Sequence, residues 1–376
     1  MKQSNSIQKN IKYSNNLRLE GLNRIIFSER IVGIFGAGGY AYTLIDELSA
    51  LSIQVDFCVV DDDYYQDGLL CNGIQVVSVS ECNKTKNGAI LIIGFGMNYH
   101  NEDAEKTRIR YLINNSIDII DFEDQFVSSF YYMDYSFVLR NSPKIQELYD
   151  SFEDELSKRL LIDYINGRLS GNMSCLRDYQ NTSLYDYSLE LLFQKKSEKG
   201  IILDCGAFDG ISAVQVRDYL GDNNKIIAFE CDEANYRKLL QNVSNFENII
   251  SVKKGVWNQT KILTIVGEGQ EARIREDISN NICRTVEMVA LDDYVEEPVS
   301  AILMDIEGSE YNALQGAKRL IESFQPVLAV RMYHKMEDFI QIQPLIDSFN
   351  VTRRYRYYLR YNGHYRGAAD LTLYAI

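Results

Sequence analysis

A chain of 376 residues is too long for one average domain and long enough for two substantial cores with a connector. Its formal net charge of -14 argues against unspecific affinity for nucleic acid or anionic lipid and reads as an acidic, soluble surface. The cysteines Cys58, Cys71, Cys82, Cys175, Cys205, Cys231 and Cys283 form no CxxC pair and mostly lie in apolar runs, so they read as free thiols, not as a disulfide framework or a zinc site.

Residues 1–16 hold no apolar core of signal-peptide length, and no stretch approaches the length that crosses a membrane. The expectation is a cytoplasmic protein whose residues 1–23 form a flexible leader. From Arg24 the pattern changes: an apolar run through Ile31-Val32-Gly33-Ile34-Phe35 enters the turn Gly36-Ala37-Gly38-Gly39 and then a helix through Leu48. Val55 to Val60 gives a second strand ending in Asp61-Asp62-Asp63, and further strands are expected at 88–93 and 117–121. The alternation predicts a small Rossmann-like, doubly wound sheet over residues 24–125. Gly36, Gly38 and Ala41, with Asp61 beyond them, fit the spacing of a dinucleotide fingerprint. The competing reading is a scaffold or recognition module whose glycines serve close helix packing.

Residues 126–199 are poorer in glycine, and Ile145, Leu148, Tyr149, Phe152, Leu156, Leu160, Leu161, Tyr164 and Ile165 follow spacings of three and four. One amphipathic helix in a helical connector is expected there. Residues 167–187, polar and tyrosine-bearing, read either as a loop over a catalytic pocket or as a surface connection.

From Gly200 the alternation returns. Ile201 to Asp204 reads as a buried parallel strand, and Cys205-Gly206-Ala207-Phe208-Asp209-Gly210 as a turn whose glycines let it approach a ligand. Asp204 and Gly206 also suit a simple helix cap. The next strand ends at Glu230, where a carboxylate can accept hydrogen bonds from a ribose diol. A third strand is expected near 248–257, and the alternating segments 261–266 and 284–289 read as a hairpin at the margin of the same sheet. Val299 to Met304 makes a fourth strand with Asp305-Ile306-Glu307-Gly308-Ser309-Glu310 at its carboxyl end, where ligands of open parallel sheets bind. A fifth strand, Val327 to Tyr333, leads to His334, whose near-neutral reference pKa suits a base or, equally, a strand cap. Asn362-Gly363 between two alternating runs signals a closing antiparallel hairpin.

Asp204-Cys205-Gly206-Ala207-Phe208-Asp209-Gly210, Phe229-Glu230, Gly255-Val256-Trp257, Leu291-Asp292-Asp293 and Asp305-Ile306-Glu307-Gly308-Ser309-Glu310, followed by Leu314 and Gly316-Ala317, stand in one order. In that ordered set, residues 200–376 resemble the FkbM-type methyltransferase family. The resemblance implies a class I methyltransferase-like Rossmann fold with a terminal antiparallel hairpin. It also implies methyl transfer from S-adenosylmethionine to a hydroxyl of a sugar, glycan, glycolipid or other secondary metabolite. On it, Asp204, Gly206, Phe208, Asp209 and Gly210 hold the methionyl end of S-adenosylmethionine, Glu230 its ribose, and Asp305 and His334 are the catalytic candidates. The family more often has glutamate where Arg331 stands and lysine where Met304 stands, so the acceptor roles transfer less directly than the cofactor roles.

Magnesium is an open expectation, with Asp292, Asp293, Asp305 and Glu307 as hard oxygen ligands. Expected partners are a carbohydrate-containing acceptor and no nucleic acid, with homo-oligomerisation compatible. A nicotinamide-dependent sugar oxidoreductase built on Gly36 and Asp61, or a noncatalytic nucleotide-sensing or assembly protein, are the alternatives.

Overall fold

The computed structural model describes residues 7–11, 17–95, 102–122, 133, 135–179, 187–194, 200–266, 273–274, 283–362 and 371–376. They fall into two compact units, one of residues up to 140 with 162–179, the other of 141–161, 187–362 and 371–376.

In the first unit, β1 (Val32–Phe35), β2 (Phe57–Val60), β3 (Leu70–Cys71), β4 (Ile74–Ser78), β5 (Ile90–Ile93) and β6 (Asp118–Ile120) form a sheet ordered β3-β4-β2-β1-β5-β6. All its pairings are parallel except the β3–β4 edge hairpin. The central strands are continuous apolar runs because both faces are covered. Leu22, Ile34, Leu44 and Ile92 belong to one buried cluster, and Phe35, Phe57, Leu91 and Ile109 to another. The helix Leu17–Ile26 takes in residues 17–23 and buries Leu22 and Ile25. Ser78 ends β4 and caps the helix Val79–Thr85, its hydroxyl accepting from the Glu81 amide at 3.2 Å. Ser78→Ala should lower unfolding free energy by about 1 kcal/mol in a denaturant titration, and glycine should recover most of that loss. Equal losses for the two variants would show that the cap is not the cause.

The helix expected through Ile145 to Ile165 is two helices, Ser142–Ser151 and Glu155–Ser170. Between them Phe152 bridges to Tyr357 and the Glu153 amide donates to the Tyr357 carbonyl at 3.0 Å. Asp154 then accepts from the Ser157 amide at 2.8 Å and starts the second helix. Heptad-like spacing survives the break, so periodicity alone hides it.

In the second unit, β7 (Ile201–Cys205), β8 (Ile226–Phe229), β9 (Ile249–Val252), β10 (Gly255–Val256), β11 (Lys261–Val266), β12 (Arg273–Ile274), β13 (Cys283–Val289), β14 (Val299–Met304), β15 (Val327–Arg331), β16 (Tyr357–Tyr361) and β17 (Leu371–Ala375) make two sheets. The larger runs β16-β17-β15-β14-β7-β8-β9, parallel from β15 to β9 and closed by antiparallel β17 and β16. β7 and β14 are buried at every position, as central strands must be, whereas edge strand β16 alternates. The expected terminal antiparallel hairpin is present, with Tyr361 paired with Leu371. Gly363 itself lies outside the described residues.

The segments expected at the margin of this sheet form a separate four-stranded one, β10-β13-β11-β12, with Lys261 opposite Met288. Parallel pairing of β13 with β10 explains the difference: Gly255-Val256 offers a free edge that the large sheet does not take up.

Register places the carboxyl ends of four strands in a row. Cys205 pairs with Phe229 and Met304, and Met304 with Val330. Chain order reverses between β7 and β14, the place where open α/β sheets leave a crevice.

Candidate functional site

On one side of that crevice stands the turn after β7. Asp204 is buried, and its carboxylate accepts the Ser212 hydroxyl at 2.7 Å. Gly206 has φ +84°, and a Cβ there would lie 1.9 Å from the Asp305 carbonyl oxygen, so the ends of β7 and β14 approach backbone to backbone. Gly210, at φ +85°, caps the helix Ile211–Leu220, and a Cβ on it would meet Leu239 at 2.6 Å. These glycines therefore make room for neighbouring protein. Asp209 accepts the Ile211 amide at 3.2 Å. The amides expected to meet a cofactor carboxylate are also engaged: Gly206 and Ala207 donate to Phe229 O, Phe208 to Glu230, and Gly210 to Ala207 O. Phe208 holds a left-handed φ of 50°, and its amide donates to Glu230.

Glu230 begins where β8 stops. Its Oε2 accepts from the Phe208 amide at 3.0 Å and its Oε1 from the Asp232 amide at 2.6 Å. Asp232 caps the next helix, Glu233–Val243, whose Leu239 and Val243 face the core. Burial pushes the Glu230 carboxyl up to about 7, against the pull of those amide hydrogen bonds. Each oxygen keeps a lone pair for a further donor.

Across the crevice, beyond β14, lies an acid cluster around a histidine. Glu307 and Gly308 take left-handed φ of 53° and 87°, reversing the chain so that Glu310 enters the interior fully buried. Glu310 Oε1 accepts the Ile306 amide at 3.0 Å and lies 2.9 Å from Nδ1 of His334, which is 2 % exposed. Nε2 of His334 sits 3.5 Å from Asp305 Oδ1 and 3.5 Å from Glu307 Oε2. Burial lowers the His334 pKa, but Glu310, then Glu307 and Asp305, outweigh it and hold it at about 9. Glu310 is lowered in turn: burial opposes its ionisation, and the His334 charge wins. Asp338, buried beside this pair, is pushed up to about 8 by burial and by the Glu310 charge.

Asp305 also receives the Tyr333 hydroxyl at 3.2 Å and lies 3.4 Å from Nε of Arg331. Arg331 is buried, donates to Thr372 at 2.9 Å and stacks over Tyr187. It is thus built into the sheet, not free to clasp an anionic substrate. Sequence reasoning placed Asp305 and His334 at neighbouring strand ends but missed that Glu310 reaches His334 and that Tyr333 reaches Asp305. The adjacency of β14 and β15 is the signal that would have joined them.

Two other candidate sets separate from this cluster. Asp292 caps the helix Lys318–Phe324 by accepting the Arg319 and Leu320 amides at 2.8 and 3.0 Å, and Asp293 accepts the Thr260 hydroxyl at 2.7 Å. Those hydrogen bonds engage both carboxylates. In the first unit, Gly36 holds φ +127° with a would-be Cβ 2.7 Å from Gly94 O, and Asp61 is engaged by Arg108 at 2.8 and 2.9 Å. The acid of the dinucleotide pattern is therefore already paired.

Residues 204–364 match the family described as Methyltransferase FkbM domain. A crystal structure of Methyltransferase FkbM from Methylobacillus flagellatus KT is similar over 95% of this chain and 93% of its own, with a TM-score of 0.68 at 20% identity. A putative rRNA-methylase from Clostridium thermocellum covers 50% of this chain and 91% of its own, with a TM-score of 0.34 at 12% identity. An rRNA methylase from Streptococcus thermophilus covers 50% and 92%, with a TM-score of 0.33 at 18% identity. No curated protein matches.

Proposed function

We propose that residues 204–364, which match the FkbM methyltransferase family, form an O-methyltransferase that takes its methyl group from S-adenosylmethionine and acts on a sugar hydroxyl of a glycan, glycolipid or sugar-linked metabolite. The observation that carries this reading is the row of strand ends at the β7–β14 reversal, with buried Glu230 on one side and Asp305 on the other. We read the sheet β16-β17-β15-β14-β7-β8-β9 as a class I methyltransferase-like Rossmann sheet and residues 200–376 as the catalytic domain. Residues 24–125 are a Rossmann-like unit and 126–199 a helical connector.

Glu230 accepts the ribose hydroxyls, and the 204–210 turn lines the methionyl end through side chains and carbonyls, since four of its amides are used internally. Asp305 faces the reacting methyl. An aliphatic hydroxyl does not ionise freely at neutral pH, so the carboxylate takes its proton as the oxygen attacks the sulfonium-bound methyl. His334, held protonated near pH 7 by Glu310, does not act as that base; it positions Asp305.

No helix among the described residues is long and apolar enough to cross a membrane, and we place the enzyme in the cytoplasm, where S-adenosylmethionine is made. Incubating the purified chain with S-adenosylmethionine and a cytoplasmic extract should yield a carbohydrate heavier by one methyl group. Labelled methyl appearing only on protein or RNA would overturn the choice of acceptor.

A further inference from the structure

We propose that Asp305, Glu307 and His334 form a binding site for one divalent transition-metal ion, with Glu310 as the carboxylate behind the histidine. One ligand atom from each of the three residues lies within 4.8 Å of the others. A metal with bonds of about 2.1 Å brings such atoms to roughly 3 Å separations, so small side-chain adjustments close the set.

A cluster of acids would not carry this alone. The second observation is the histidine: buried to 2 % exposure, its Nε2 has no hydrogen-bond partner and points between Asp305 Oδ1 and Glu307 Oε2, 3.5 Å from each. Its other nitrogen lies 2.9 Å from Glu310 Oε1, and Glu310 is itself fixed by the Ile306 amide and completely buried. A carboxylate against one imidazole nitrogen keeps a proton on that nitrogen, so a bound ion takes the place of the Nε2 proton alone, which is how metal-bound histidines are usually oriented.

One imidazole with two carboxylates suits Mn2+, Fe2+ or Zn2+ better than magnesium, which favours oxygen alone. Glu307 is partly exposed, so the outer positions of the ion face solvent and an acceptor. There the ion would lower the pKa of a bound hydroxyl and let Asp305 act with it. That part rests on the proposed methyl transfer; ion binding does not.

The test uses the full chain, stripped with EDTA, dialysed and titrated with Mn2+ while the signal of the free ion is followed by electron paramagnetic resonance. One ion per chain should bind at micromolar concentration and resist a hundredfold excess of magnesium. His334→Gln and Glu307→Gln should each weaken it at least thirtyfold, and Glu310→Gln, a positioning change, roughly 10- to 100-fold. Glu307 sits on a partly exposed turn, so its variant decides the matter if the His334 variant does not fold. No binding, or binding that survives both changes, overturns the proposal. Calorimetry with S-adenosylhomocysteine on the same samples separates the two ideas: cofactor bound without Mn2+ refutes the ion site alone, and Mn2+ bound without cofactor refutes the reading of the Glu230 pocket alone.

Discussion

Glu230→Gln should weaken S-adenosylhomocysteine binding at pH 8 by about 2–4 kcal/mol, roughly 30- to 700-fold in Kd. The ionised carboxylate offers charge-assisted bonds to two ribose hydroxyls, each stronger than a neutral bond. Glutamine also places an NH2 group against either the Phe208 or the Asp232 amide, both of which donate to Glu230, so part of the loss comes from the turn itself. The wild-type affinity should depend on pH. The Glu230 pKa is raised to about 7, so its proton must leave before the carboxylate accepts two hydroxyls, and affinity rises from pH 6 to pH 8 by about tenfold and then flattens. The sign for stability is opposite. A carboxyl whose folded pKa lies above its usual 4.5 favours folding at low pH, and the ligand-free protein loses that contribution as pH rises from about 4.5 through about 7. Thermal stabilisation by the ligand should therefore be larger at pH 8 than at pH 6. A pH-independent Kd, or a Glu230→Gln variant that keeps the slope, would contradict the assignment.

Asp305→Asn should leave cofactor affinity within about twofold and lower turnover on the carbohydrate acceptor by 10²- to 10⁴-fold, the usual range for loss of a positioned base. Asparagine keeps an acceptor for the Tyr333 hydroxyl, so the variant should fold; what it loses is proton affinity and the charge facing Arg331 and His334. His334→Asn should also lower turnover without changing cofactor affinity, but for a different reason. It empties the side of Asp305 that the imidazole occupies and leaves buried Glu310 without its cation. A buried carboxylate in that state is costly, so His334→Asn should lower thermal stability more than Asp305→Asn, which removes a partly exposed carboxylate from Arg331. Equal loss of cofactor binding in either variant would remove the proposed division between the two sides of the crevice.

Much of this architecture is legible in sequence because the central strands are buried on both faces and so are continuous apolar runs. Ile201 to Asp204 and Val299 to Met304 are the clearest, and each is followed at once by the residues that line the crevice. What local pattern does not carry is partnership. The glycines at 206 and 210 are visible as glycines, but only the fold shows that Asp305 and Leu239 crowd them. The break at Phe152 is made by Tyr357, about two hundred residues away, and the β10–β13 sheet by an edge that periodicity does not mark. Glu310 looks like an ordinary helix-start acid; its burial against His334 follows from β14 and β15 being neighbours. Charge pairs between strand ends are long-range, and no spacing rule reaches them.

The turn after β7 and the carboxylate after β8 should enclose one sulfonium nucleoside at the reversal of the sheet. Crystals of the chain soaked with S-adenosylhomocysteine test it most directly. The ribose hydroxyls should lie within hydrogen-bond distance of both Glu230 oxygens, with the sulfur turned towards Asp305. A ribose lying elsewhere on the sheet, or Glu230 contacted by backbone amides and by no ribose hydroxyl, would contradict it.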